Sequence, residues 1–210
     1  MFKEENPAAR IRLFKERRRE RFLSPEELER VNRALLEEPD WRWRAYFPLA
    51  LMLGTRKSEL LAMRWTDIDF TRKTWRIPET KAGNSHLLPL PAPVGAILDQ
   101  LPSRGKSDWV FSGEGKDGHA VEPAKAWQRI RKRADVPDVR IHDLRHTLAS
   151  WLVAQGFNLS LIGRALNHSQ VSTTERYAHL ALDPVRAALE QTAVLMTAGT
   201  SDRPLIKESA

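Results

Sequence analysis

Between Ile68 and Leu90 the apolar residues recur every second position, whereas on either side they recur at helical spacing. Ile68-Asp69-Phe70, Thr74-Trp75-Arg76-Ile77 and His86-Leu87-Leu88-Pro89-Leu90 are three short extended runs joined by polar turns. That pattern predicts a three-stranded antiparallel meander set into a helical body. The fold class is mainly α with a small three-stranded antiparallel sheet. No internal repeat suggests a solenoid.

The helical body begins abruptly. Ser24-Pro25-Glu26-Glu27-Leu28 places an N-cap serine, proline at the first helical position and glutamate at the third. Leu23 and Leu28 are placed to close a hydrophobic staple across that cap. A helix is expected to about Glu37, and a more apolar one from Trp41 to Leu53 that stops at Gly54. Further helices are expected over 56–63, after Pro93, and over 122–135, 142–155, 158–166, 173–181 and 184–197, with a brief extended piece at Trp109-Val110-Phe111. A polar tail follows from Ala198.

Composition narrows the chemistry. The 210 residues contain no cysteine, which removes disulfides, thiolate metal sites and cysteine nucleophiles. The Ala45–Leu53 apolar run is too short to span a bilayer, and the charged N-terminus lacks a secretory signal's apolar core. A cytoplasmic protein with no membrane partner is expected. The net charge of +7 favours a polyanionic partner. Residues 1–21 hold eight Lys/Arg and four Glu and read as a basic arm or solvated linker.

Three stretches carry polar residues that the core does not explain. In Ile141-His142-Asp143-Leu144-Arg145-His146-Thr147, Arg145 falls within roughly 20° of Leu152, at the border of the apolar stripe. An arginine held against a core requires an anion or carbonyl partner, whether a structural acid or a phosphate. His142 and His146 have the i, i+4 spacing of a metal-binding helix, but a glutamate does not follow His142 and a third ligand is lacking; no metal is expected. In Gly54-Thr55-Arg56-Lys57-Ser58-Glu59, Arg56 and Glu59 share a face, as a surface pair or as a phosphate-gripping arginine oriented by its carboxylate. In Leu166-Asn167-His168-Ser169-Gln170-Val171-Ser172-Thr173-Thr174-Glu175-Arg176-Tyr177, Asn167 suits a left-handed helix end, His168 the following loop, and Ser172 with Glu175 a capping box whose helix carries Tyr177 in its second turn. Arg129, Arg131, Lys132 and Arg133 form a basic helical stretch that could face DNA or solvent.

In order, these residues read Arg-x-x-Glu, a lysine in a sheet turn, His-x-x-Arg, a histidine, and a tyrosine nine residues later. The series resembles the tyrosine recombinase (phage integrase) family over Leu23 to about Leu182, with Met63-Arg64-Trp65-Thr66-Asp67-Ile68-Asp69 and Thr80-Lys81-Ala82-Gly83 as further matching pieces. Residues 6–16 are similar to the interdomain linker of prophage-type integrases. The resemblance implies the tyrosine recombinase catalytic-domain fold. It also implies that Arg56 and Arg145 clamp the scissile phosphate, that His168 donates a further hydrogen bond, and that Tyr177 is the nucleophile forming a 3′-phosphotyrosyl bond. On the same basis His142 is the acceptor of the tyrosine's proton, Lys81 the general acid for the 5′-oxygen, and Glu59 a support. Neither a cofactor nor ATP is implied.

The expected organisation is a basic interdomain arm over 1–22, a catalytic domain over 23–182, and a C-terminal helix and tail over 183–210. Some 22 residues before the first capped helix are too few for the family's N-terminal DNA clamp, so an isolated catalytic domain is expected. Double-stranded DNA is the implied partner in a bacterial, DNA-associated setting. The segment from Asp183 is implied to dock on a neighbouring protomer in a tetramer. Two alternatives are a type IB topoisomerase-like relaxing enzyme and a catalytically silent DNA-binding module. Asn167 departs from the glycine usual before the loop histidine.

Overall fold

The structure, a computed structural model, describes residues 20–78, 85–114, 117–167 and 172–196. Lys81 and His168 lie outside the described residues, as do the arm up to residue 19 and the tail from 197.

Helix α1 (Pro25–Leu36) starts as its sequence dictates: the Ser24 hydroxyl accepts from the Glu27 N–H, and the Glu27 carboxylate accepts from the Ser24 N–H. Leu23, immediately before that cap, is fully buried. Its N–H donates to Thr147 Oγ1 at 2.9 Å and its carbonyl accepts from Trp151 Nε1 at 3.0 Å. Both of its backbone groups are thus satisfied by the helix that will carry the site. Arg21, read from sequence as part of the arm, is instead tied to Glu27 and Asp138.

Helix α2 (Trp41–Leu53) is capped by Asp40 and ends at Gly54 in a left-handed conformation. The short α3 (Lys57–Leu61) leads into β1 (Ile68–Asp69), β2 (Thr74–Ile77) and β3 (His86–Pro89). The strands pair antiparallel in the order β1-β2-β3, with Trp75 opposite both Ile68 and Leu88. That is the expected meander. Helices α4 (Ala92–Asp99), α5 (Ala124–Arg133), α6 (Ile141–Ala154), α7 (Leu159–Ala165), α8 (Ser172–Glu175) and α9 (Leu182–Met196) complete the described chain. Of the extended piece expected at 109–111 only Trp109 is paired, in an isolated bridge with Arg64; Val110 and Phe111 form a turn, and the Val110 N–H donates to the Met63 carbonyl at 2.9 Å.

Two buried clusters result. The larger joins α1, α2, the sheet, α4 and α5, and reaches Leu144 near the start of α6. The smaller holds Ala149 and Val153 of α6 with Ile162, Leu166 and Tyr177. Helix α6 runs from one cluster into the other, and the residues between Leu144 and Ala149 lie at the junction.

One helix differs from expectation. The segment 173–181 is not continuous: α8 is a single turn, and a 3-10 turn covers Ala178–Ala181. The Tyr177 N–H bonds to the Thr174 carbonyl and the Leu180 N–H to the Tyr177 carbonyl, both at i, i+3 spacing. This tighter winding turns the Tyr177 ring inward against α6, leaving the residue 6% exposed.

The basic stretch on α5 also reads differently in three dimensions. Glu38 is fully buried and accepts from Arg129 Nη2 at 2.5 Å and Arg133 Nη2 at 3.1 Å. Those two arginines clamp α5 to the end of α1, because a buried carboxylate requires compensating cations.

Candidate active site

Arg145 projects from the second turn of α6 into the junction between the clusters and is 6% exposed. Its partners are carbonyls: Nη1 donates to Gly54 O and Nη2 to Leu166 O, the latter at 2.6 Å. Each belongs to a residue that ends a helix, α2 in one case and α7 in the other. Helix C-termini carry negative partial charge, so they hold a cation that cannot lose its proton. Burial nonetheless pulls the Arg145 pKa down to about 10, with Arg56 adding to the effect.

Arg56 stands beside it. Glu59 accepts from Arg56 Nη1 at 2.6 Å and from the Arg56 backbone N–H at 2.9 Å, while Arg56 Nη2 reaches Asn167 O at 3.4 Å. Asn167 has φ of 53°, the left-handed turn its residue type favours. The turn 166–167 therefore holds one guanidinium through each of two consecutive carbonyls. Neither arginine is neutralised in full: among the described residues Arg145 has no carboxylate as a hydrogen-bond partner, and the Arg56 side chain is 29% exposed.

Next to Arg145 lies a cleft of about 250 Å³ lined by Tyr46, Ala50, Thr55, Lys57, Ile141, His142 and Arg145. His142 and Lys57 stand at its exposed rim. Partial burial is the main cause that lowers the His142 pKa, followed by Arg145. The cleft thus presents a buried cation, a lysine and an imidazole to whatever enters it, a set suited to a phosphate.

Tyr177 faces α6. His146 Nδ1 is in close hydrogen-bond contact with the Tyr177 hydroxyl, their rings 5.9 Å apart between centroids. His142 packs edge-on against His146 at 4.7 Å. Burial raises the Tyr177 pKa, with Arg176 and Arg145 opposing it. Burial likewise lowers that of His146 to about 4, helped by His142 and Arg176. The phenol is therefore protonated at neutral pH, and its neighbour is a neutral imidazole.

Five of the seven sequence-derived residues, Arg56, Glu59, His142, Arg145 and Tyr177, come together around α6 and its neighbours; Lys81 and His168 lie outside the described residues. The sequence alone offers His146 only as half of a metal pair. Its i, i+4 relation to His142 does place the rings together, but among the described residues no group of three or more His, Asp or Glu is arranged to hold a metal ion. The signal that would have found His146 is its place one turn beyond His142 on the face that Tyr177 covers.

A family model described as the phage integrase family matches residues 21–183. The chain belongs to the phage integrase family. Among curated relatives it is 33% identical over 180 residues to a tyrosine recombinase of Thermosipho africanus, covering 84% of this chain and 64% of that protein. It is 30% identical over 151 residues to the prophage integrase IntF of Escherichia coli, covering 68% of this chain and 32% of that protein. This integrase-family chain thus spans 64% and 32% of those relatives' lengths. In fold it is similar to the catalytic domain of bacteriophage HP1 integrase, with TM-score 0.63, 22% identity, 80% of this chain and 93% of that one covered. It also resembles XerH recombinase in a post-cleavage complex with palindromic difH substrate, with TM-score 0.66, 23% identity, 83% of this chain and 53% of that one covered. Those likenesses give the family's catalytic-domain fold. Among the described residues no helix is long and apolar enough to cross a membrane.

Proposed function

We propose that the chain is the catalytic domain of a site-specific DNA recombinase that cleaves and rejoins double-stranded DNA through a 3′-phosphotyrosyl intermediate, without metal or ATP. The observation that carries this reading is the convergence of two cationic guanidinia, Arg56 and Arg145, with the Tyr177 phenol about one helix, α6. Phosphoryl transfer requires charge stabilisation around the non-bridging oxygens, an aligned nucleophile and a proton for the leaving oxygen. The arginines supply the first, oriented by Glu59 and by the carbonyls of Gly54, Leu166 and Asn167. His142, at the rim of the Arg145 cleft, is a further donor or proton carrier there.

In this scheme the Tyr177 oxygen attacks phosphorus, its O–H bond breaks and the bond from phosphorus to the 5′-oxygen opens. Lys81 protonates that oxygen and His168 adds a hydrogen bond to the phosphate; both assignments rest on the family resemblance. The covalent phosphotyrosine retains the diester's energy, so a 5′-hydroxyl from another strand reverses the step. The net charge of +7 suits a DNA partner. The division into an arm over 1–22, a catalytic domain over 23–182 and a C-terminal segment over 183–210 belongs to the same reading. So does self-association into a tetramer: α9 exposes Val185, Leu189, Val194 and Met196, an apolar set that a second copy would cover.

The test is incubation with negatively supercoiled plasmid at low salt in EDTA, beside a Tyr177→Phe variant. SDS-resistant protein–DNA adducts that disappear in the variant are expected. Adducts persisting in Tyr177→Phe, or adducts only when divalent metal is added, would overturn the reading.

A further inference from the structure

We infer that His146 is the group that takes the Tyr177 proton as the phenol attacks, and returns it when the strand is rejoined. This rests on the recombinase reading and assigns a residue within it. His146 Nδ1 meets the Tyr177 oxygen, the atom that must form the new bond to phosphorus; the Arg176 side chain also hydrogen-bonds there, but a guanidinium has no lone pair to take a proton. Its Nδ1 is the ring atom in contact, so a neutral ring protonated at Nε2 presents a lone pair to the phenol. His142, the acceptor expected from the family resemblance, lines the Arg145 cleft and meets His146 ring to ring.

The placement follows from local structure. His142 and His146 stack on one face of α6 at i, i+4 spacing. The 3-10 winding after α8 turns Tyr177 onto that face. Tyr177 is 6% exposed, so bulk water is a poor proton acceptor for it in this arrangement. The charged and titratable groups around His146 are His142, Asp143 and Arg145 on α6, Arg176 and Tyr177 after α8, Glu20 and Arg21 at the entry of the chain, and His179. Burial first, and then His142 and Arg176, hold the ring neutral at rest. A phosphate diester drawn to Arg56 and Arg145 brings a negative charge that makes the imidazolium easier to form.

The step balances. The Tyr177 O–H bond breaks and its proton moves to His146 Nδ1. The bond from Oη to phosphorus forms, the bond from phosphorus to the 5′-oxygen breaks, and that oxygen takes a proton from the general acid. Rejoining runs the same sequence backward, and the His146 imidazolium re-protonates Tyr177 as it departs.

His146→Ala and His146→Gln test this on supercoiled plasmid in EDTA, in the full chain, with urea midpoints reporting that each variant folds. Glutamine can hold the phenol's hydrogen bond but cannot carry its proton. Both variants are expected to form adducts about 10²- to 10⁴-fold more slowly at pH 7. The deficit should persist toward pH 9.5, because the buried phenol is as closed to hydroxide as to water. His146→Gln within a few-fold of the parent across that range would make His146 a hydrogen-bond partner only and overturn the assignment. A second readout needs no DNA: imidazole ¹⁵N spectra of the unsubstituted chain at pH 7 should show His146 neutral with Nδ1 unprotonated. A proton on Nδ1 would overturn the inference even if adducts form. If the unsubstituted chain makes no adduct, the recombinase reading fails, and the spectra still decide whether His146 is poised to accept from Tyr177.

Discussion

Arg145 Nη2 lies 2.6 Å from the Leu166 carbonyl, and the same guanidinium reaches across to Gly54 O. One arginine thereby fastens the end of α7 to the end of α2, and the loop expected to carry His168 starts at that fastening. The arginine that would grip the phosphate also sets where the surrounding turns lie.

Gly54 tests this coupling. Its φ is +58°, and a Cβ there would lie 2.6 Å from Leu166 Cδ2 and 2.7 Å from Leu148 Cδ2. Gly54→Ala therefore meets both a strained backbone and two leucines of the smaller cluster. We expect a loss of about 1–3 kcal/mol in urea unfolding. Adduct formation should fall by more than the unfolded fraction explains, because the Gly54 carbonyl moves with its Cα. Parent-like stability and activity would show that the turn has more room than its contacts indicate.

The Glu59 carboxylate serves two donors of Arg56, the side chain at 2.6 Å and the backbone at 2.9 Å. Glu59→Gln keeps one acceptor oxygen and removes the charge. The expected outcome is a drop of about 10- to 100-fold in adduct rate, the range seen when groups supporting a site are lost. Melting temperature should change little, since the Arg56 side chain is partly solvated. A Glu59→Gln variant with the parent's rate would reduce the pair to an ordinary ion pair.

Much of this was legible from sequence, for identifiable reasons. The α1 cap, the stop at Gly54, the meander and the left-handed Asn167 each follow from local chemistry in a few consecutive residues. Arg145 was legible as an arginine pinned at a core edge, but its partners were not. Two helix-terminal carbonyls, 91 and 21 residues away, leave no mark in the chain. The break after Glu175 was hidden because the capping pattern at Ser172 and Glu175 describes how a helix starts, whereas its length is set by burying Tyr177 on α6. The role of the α5 arginines was hidden for a similar reason, since a surface charge run and a clamp on a buried carboxylate read alike.

That clamp gives a prediction opposite to a DNA-facing stretch. Arg129→Ala and Arg133→Ala should each destabilise the chain by about 1–3 kcal/mol, by stripping a hydrogen bond from the fully buried Glu38. Their effect on nonspecific DNA affinity at a fixed salt concentration should be under about threefold. A fluorescence-anisotropy titration showing a large affinity loss with unchanged urea midpoints would reverse the assignment and return these residues to the DNA interface.

The His146–Tyr177 contact also has a pH signature independent of DNA. His146 titrates near 6.5 when unfolded and near 4 in the folded chain, chiefly because burial disfavours its charged form. Between those values the unfolded chain holds a proton that the native chain lacks, so stability rises with pH there and is lost as pH falls. The loss starts near 6.5 and ends near 4, below which both states are protonated. His142 is shifted in the same direction and adds to the slope. The lowered carboxyl pKa values of Glu27 and Asp40 act in the same sense but at lower pH, from the usual carboxylate range downward. Urea midpoints collected between pH 7 and pH 5 therefore isolate the histidines. We expect the midpoint to fall across that window in the parent, and to fall less steeply in His146→Gln. Equal slopes in the two proteins would mean that His146 takes up its proton in the folded chain as readily as in the unfolded one, and that its ring is not held neutral against the tyrosine.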